Sequence, residues 1–156
     1  MRNNRKAFTL VEVLLVVVII AALAAVAFVV LGPAREEAKQ GITKTQIAKI
    51  MSAIERYAGQ LDYPTSEQGL LALVDKPTFE KPEMDKNWHG PYLTRSDLSD
   101  NWGMELKYKL EEVTDSAGTT RKVPRVWSCG PNKTDDSGDG DDIKNESWAS
   151  ESTAGK

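Results

Sequence analysis

The sequence predicts an α+β protein in which a long N-terminal helix packs on a small antiparallel sheet, and three observations predict it. Every side chain from Val13 to Leu31 is apolar. From residue 34 to 61 the apolar side chains recur at spacings of three and four, the signature of one helix face. Beyond residue 103, two strand-like segments flank the turn-forming stretch DSAG.

The first element is fit for a bilayer. Nineteen apolar residues at about 1.5 Å each make roughly 28 Å of helix, close to the hydrocarbon thickness. A cleaved secretory signal would have a shorter core of about 7 to 15 residues and would end in small residues, whereas this run ends in Gly32-Pro33-Ala34 before a polar helix. Arg2, Arg5 and Lys6 precede the span while Arg35, Lys39, Lys44 and Lys49 follow it, so the basic residues do not set its orientation. Glu12 stands near the entrance. An ionisable group there is costly, and Glu12 is therefore the first functional candidate.

The second element is the helix of residues 34–61, with Ile42, Ile47, Ile50, Met51, Ile54, Tyr57, Ala58 and Leu61 on one face. Gly32-Pro33 and Gly41 lie between this face and the span. Proline lacks an N–H and clashes with the preceding turn, which predicts a kink or a locally melted segment. Tyr63-Pro64 ends the helix, and Thr65 or Ser66 caps a short helix from Glu67 to Val74 that Pro77 closes.

Residues 87–103 read as loop and turn, with two tryptophans and Gly-Pro punctuation. Alternation from Met104 to Leu110 predicts a strand, DSAG at 115–118 a hairpin tip, and RKVPRVWSCG at 121–130 the returning strand. Pro124 favours an edge position in that strand. An acidic, glycine-rich loop, Trp148 and a tail expected to be disordered complete the chain, which has no internal repeat.

Composition excludes several function classes. The net charge is −3, and the densest charge cluster is acidic, from Asp135 to Asp142, which argues against a nucleic-acid partner. Cys129 is the single cysteine, so no intrachain disulfide and no thiolate metal site can form. The single histidine, His89, lies beside Trp88 in a turn with no nucleophile motif around it, and reads as a surface residue. Neither a phosphate loop nor a dinucleotide fingerprint occurs, and nothing supports an enzyme.

The loop CGPNKTDDSGDGDDIKNE gathers oxygen donors and glycines as a calcium site requires. Asp135, Ser137, Asp139, Gly140 and Glu146 fall on positions 1, 3, 5, 6 and 12 of an EF-hand-type loop, with serine a departure at position 3. The incoming helix of an EF-hand is missing, because Gly130-Pro131 and a strand precede the loop. A calcium loop of another kind fits better, and a solvated acidic loop without an ion is the competing reading.

Along almost its whole length the chain resembles a known family. KAFTLVEVLLVVVII, residues 6–20, is similar to the start of type IV pilin-like proteins, and YPTSEQGLLALVDKP, WHGPYL and DNWG, in that order, resemble the major pseudopilins of bacterial type II secretion systems. The resemblance implies a type IV pilin-like fold and four parts: a leader 1–7, a transmembrane and assembly helix 8–31, a periplasmic domain 32–148 and a tail 149–156. It implies that a prepilin peptidase cuts between Ala7 and Phe8, with Ala7 where the family usually has glycine, and that the new terminus at Phe8 is methylated.

By the same resemblance, Glu12 attracts the terminal amine of a neighbouring subunit during assembly. The amine of Phe8 and Glu12 also lie about one helical turn apart within one chain, so an intrachain contact is the competing arrangement. The family's calcium site maps onto the backbone carbonyl of Cys129, the side chain of Asn132 where aspartate is common, and the carboxylates of Asp141 and Asp142, with Asp139 a further candidate donor. The implied product is a helical homopolymer, anchored in the inner membrane, that works in the periplasm to drive export. Its implied partners are minor pseudopilins, the prepilin peptidase, an inner-membrane assembly platform with its cytoplasmic ATPase, and an outer-membrane secretin. The alternatives are a pilus subunit for adhesion, motility or DNA uptake, and a monomeric membrane-anchored calcium-binding module.

Overall fold

The computed structural model describes residues 9–79, 81–114 and 118–148, the side chains of residues 28–30 excepted. The leader, the Ala7–Phe8 junction, most of the hairpin tip and the C-terminal tail lie outside the described residues. The chain falls into two compact units, divided between Ala38 and Lys39.

From Leu10 onward the described residues of the first unit are all helix. Helix α1 runs from Leu10 to Leu61 and passes through Pro33 without a break. The locally melted segment expected at Gly32-Pro33 is therefore absent: one missing N–H is a small loss in a 52-residue helix whose other turns remain bonded. Large apolar side chains from Leu10 to Val26 are 49% to 82% exposed, in a helix long and apolar enough to cross a membrane.

The second unit begins with the rest of α1. Ile47, Ile50, Ala53, Ile54, Tyr57 and Leu61 are buried along one face, the expected stripe with Ala53 added, Met51 and Ala58 only half-buried, and two changes at its start. Ile42 is exposed and Thr43 is fully buried in its place, its hydroxyl oxygen accepting from Asn101 Nδ2 at 2.9 Å. A buried threonine is tolerated there because its polar atom is partnered.

Thr65 caps the turn ahead of the next element and not the helix itself: that element is a 3-10 helix, Gly69–Leu73, shorter than the helix expected over Glu67–Val74, and its own N-cap, Gln68, makes no side-chain cap hydrogen bond. Gln68 N donates to Thr65 Oγ1 at 3.2 Å and Thr65 N donates to Gln68 Oε1 at 3.0 Å, a reciprocal cap that ends as the chain turns tightly to bury Leu70 and Leu73. Two further elements were not foreseen, the second of them inside the stretch 87–103 that reads as loop and turn. They are α2, Pro82–Asn87, with proline in its first turn, and a 3-10 turn, Arg95–Leu98, capped reciprocally by Thr94 and Asp97.

Three antiparallel strands follow: β1 (Lys107–Thr114), β2 (Thr120–Ser128) and β3 (Ile143–Lys144), in that spatial order. β1 starts three residues later than the alternation suggests. Glu105 instead forms an isolated bridge with Ser99, and Leu106 N donates to Leu98 O at 2.8 Å. β2 is the middle strand, yet β3 pairs only with Trp127 and Ser128. Pro124 faces Leu110 of β1 and has no β3 residue on its other side, so its edge character holds locally within a central strand.

Candidate functional site

Two places concentrate functional chemistry, and each is built from one end of an element. At the start of α1, Glu12 is held by Thr9. Thr9 N and Thr9 Oγ1 donate to Glu12 Oε2 at 2.8 and 3.0 Å, and Glu12 N donates back to Thr9 Oγ1 at 3.3 Å. This reciprocal box satisfies two otherwise orphaned donors of the helix terminus. The amine of Phe8 lies outside the described residues, so the intrachain partner seen for Glu12 is Thr9. Thr9 was missed in the sequence, although T-x-x-E directly before an apolar run is the signal for such a box.

The second place is the loop between β2 and β3, whose ends meet at Gly130. Gly130 has φ +64°, and a Cβ there would lie 2.4 Å from the backbone oxygen of Asp141. Only glycine allows residues 130 and 141 to approach this closely. Further along, the indole of Trp148 lies on Gly138 and packs edge-on against Trp127, with ring centroids 5.6 Å apart. The guanidinium of Arg125 stands 5.1 Å from that same Trp148 ring. Trp127 Nε1 donates to Asp135 Oδ1 at 2.9 Å, so this carboxylate ties the loop to β2.

The expected metal ligands come to different positions. Asp142 Oδ2 accepts from the N–H groups of Gly138 at 2.8 Å and Asp136 at 3.1 Å, while its Oδ1 is buried without a hydrogen-bond partner. Burial, with Asp136 and Asp135 nearby, pushes the Asp142 carboxyl above the usual aspartate range against the pull of those two N–H groups. Asp141 receives both the backbone N–H of Asn132, at 3.2 Å, and its side-chain amide. Asn132 Oδ1 accepts from Thr134 N at 2.5 Å. Asp139 points outward, 89% exposed, with Lys144 Nζ 3.8 Å away.

The EF-type spacing does not organise the loop, since Asp135 bonds Trp127 and Ser137 N while Asp139 faces solvent. Among the described residues no group of three or more His, Cys, Asp or Glu side chains converges as a metal cage. A cation would therefore need backbone and amide oxygen as well as carboxylate. Two features fit one: an all-oxygen donor set suits a hard cation, and a buried carboxylate oxygen without a donor lacks positive charge. Cys129 itself is buried, and burial with the nearby Asp135 and Asp142 raises its thiol above the usual range, which keeps it protonated. His89 is exposed, as the turn reading expects.

A capped apolar helix at the N-terminus, followed by a small three-stranded domain, defines a type IV pilin-like subunit. A prokaryotic N-terminal methylation motif matches residues 2–28. The family model for type II secretion system protein G matches residues 30–146, more than half of the chain. Curated relatives named type II secretion system core protein G include one from Pseudomonas aeruginosa, 36% identical over 69% of this chain and 75% of its own length. Another, from Vibrio cholerae, is 40% identical over 69% and 74%, and one from Dickeya chrysanthemi is 35% identical over 89% and 86%. The crystal structure of the major pseudopilin from the type 2 secretion system of enterohaemorrhagic Escherichia coli superposes with a TM-score of 0.54 at 25% identity, over 74% of this chain and 89% of that one. The chain belongs to the type II secretion protein G family and is a pseudopilin.

Proposed function

We propose that this pseudopilin polymerises through its N-terminal helix into a periplasmic filament, anchored in the inner membrane, that drives protein export through an outer-membrane secretin. The observation that supports it best is the exposure of a long apolar helix: among the described residues, the large apolar side chains from Leu10 to Val26 are all exposed. Lipid covers them before assembly and copies of the same helix afterwards. Head-to-tail contacts that do not close into a ring extend into such a filament. The role is structural, and the chain catalyses nothing.

Processing completes the assembly site. Cleavage between Ala7 and Phe8 by a prepilin peptidase, followed by methylation of Phe8, creates an amine within reach of Glu12 of another subunit. A carboxylate and an amine are each expensive beside hydrocarbon alone and less so together. Thr9 holds Glu12 until that partner arrives. The inner-membrane platform and its ATPase drive assembly, with minor pseudopilins as further partners. Glu12→Leu is expected to insert into membranes yet to yield few filaments by electron microscopy and little exoprotein release. Normal filaments from that variant would overturn the assembly role, and export-competent monomers would favour the membrane-anchored module instead.

Calcium is the proposed cofactor, held by the carbonyl of Cys129, Asn132, Asp141 and Asp142, with Asp139 as an outer donor. When bound it supplies positive charge that a loop with few apolar side chains needs to stay on the sheet. Any ion that binds the folded state alone stabilises it by linkage, by about 2.7 kcal/mol at a hundredfold excess over Kd. The melting temperature of the full chain in detergent is expected to fall by several degrees on addition of a chelator and to recover with calcium. An unchanged melting temperature would remove the site.

A further inference from the structure

Asp100, in the DNWG turn, is buried and far in sequence from the calcium loop, yet its carboxylate reaches Ser128, the last residue of β2 before that loop. Asp100 is 8% exposed and Ser128 is fully buried. Ser128 Oγ donates to Asp100 Oδ2 at 2.6 Å, a short, charge-assisted bond. The other oxygen, Oδ1, accepts from the N–H groups of Trp102 at 2.9 Å and Met104 at 2.8 Å. Ser128 Oγ in turn accepts from Gly130 N at 3.1 Å.

The last contact fixes more than Gly130. Its N–H and the carbonyl of Cys129 belong to the same planar, trans peptide unit, so they point in opposite directions. Aiming the N–H at Ser128 Oγ therefore aims the Cys129 carbonyl away from that hydroxyl. The aim is stiff from behind, because Asn101, the neighbour of Asp100, donates to buried Thr43 of α1. We propose that Asp100, acting through Ser128, is a positioning residue for the cation: it sets the direction of the Cys129 carbonyl before the ion arrives. This inference rests on the calcium reading above. Neither residue touches the ion. Partners that orient a metal ligand commonly change affinity by about 10- to 100-fold when removed.

Calorimetric titration of calcium into the full chain in detergent tests it, on wild type, Ser128→Ala, Asp100→Asn and Val126→Ala. Val126 is fully buried on the same strand and measures loss of packing alone. Ser128→Ala is expected to bind calcium at least about tenfold more weakly. Val126→Ala is expected to lower the melting temperature in chelator and to keep the wild-type Kd. Asp100→Asn, which keeps the shape and loses the charge, is expected to weaken binding in the same direction and stands in should Ser128→Ala fail to fold. Wild-type affinity in both variants would overturn the positioning role while leaving the calcium site intact. No binding by wild type would overturn the calcium reading itself, and this inference with it.

Discussion

Two stretches of α1, residues 10–31 and 43–61, are both rich in aliphatic side chains and meet opposite fates. In the first the apolar residues run all round the helix, and those whose side chains are described stay exposed; in the second they keep to one face, and Ile47, Ile50 and Ile54 are at most 1% exposed. The amount of apolar surface does not decide which half its own chain covers. Periodicity does: a one-sided stripe can be buried by a small domain, whereas a helix that is apolar all round needs lipid or other helices on every side.

The largest expected effect is in the striped half. Ile50→Ala removes a fully buried side chain and is expected to cost about 2–5 kcal/mol. Val17→Ala, at a residue 57% exposed, is expected to change domain stability by less than about 0.5 kcal/mol. Denaturant unfolding of the full chain in detergent, followed by tryptophan fluorescence, compares them directly, because all four tryptophans, at 88, 102, 127 and 148, belong to the second unit. Equal losses would mean that both halves depend on the same core.

A middle-sized effect contrasts two capping boxes with the same grammar. Thr94 caps the 3-10 turn Arg95–Leu98 inside the domain, and Thr9 caps the start of α1. Thr94→Ala is expected to lower domain stability by about 1 kcal/mol, the usual worth of a cap. Thr9→Ala is expected to leave the same unfolding curve in place. A matching loss in Thr9→Ala would show that the cap on the first unit is felt in the second.

The same contrast explains what was legible in the sequence. The span announced itself through an unbroken apolar run, the stripe through periodicity, and the hairpin through its turn. Elements without a period did not: α2 and the Arg95–Leu98 turn are too short to repeat a face, and β3 is two residues whose pairing depends on a loop returning over Gly130. Ile42 and Thr43 exchanged places because a hydrogen-bond partner 58 residues away, Asn101, is invisible to any local window. At the candidate sites Glu12 stood out as a lone charge, while Thr9 was overlooked. The acidic loop was legible as composition only, since which aspartates meet β2 and which face water depends on tertiary contacts such as Trp127 to Asp135.

The smallest effect concerns a charge on the domain. The Lys49 ammonium at 2.6 Å, together with the N–H and hydroxyl of Thr94, holds the Asp97 carboxyl down to about 2. Because the folded value lies below the ordinary one near 4, the folded state favours the ionised form. The contribution is therefore complete above about pH 4 and is lost as the pH falls towards 2. Lys49 is 58% exposed, so solvent screens its share and the whole pair is worth less than about 1 kcal/mol. Asp97→Asn is expected to flatten the fall in domain stability between pH 4 and 2 relative to wild type, and 1 M salt is expected to remove only the lysine's part. Identical pH profiles for Asp97→Asn and wild type would show that other carboxylates govern the acid limb, with Asp142 placed to oppose it: its raised value makes its own protonation favour the folded state as the pH falls.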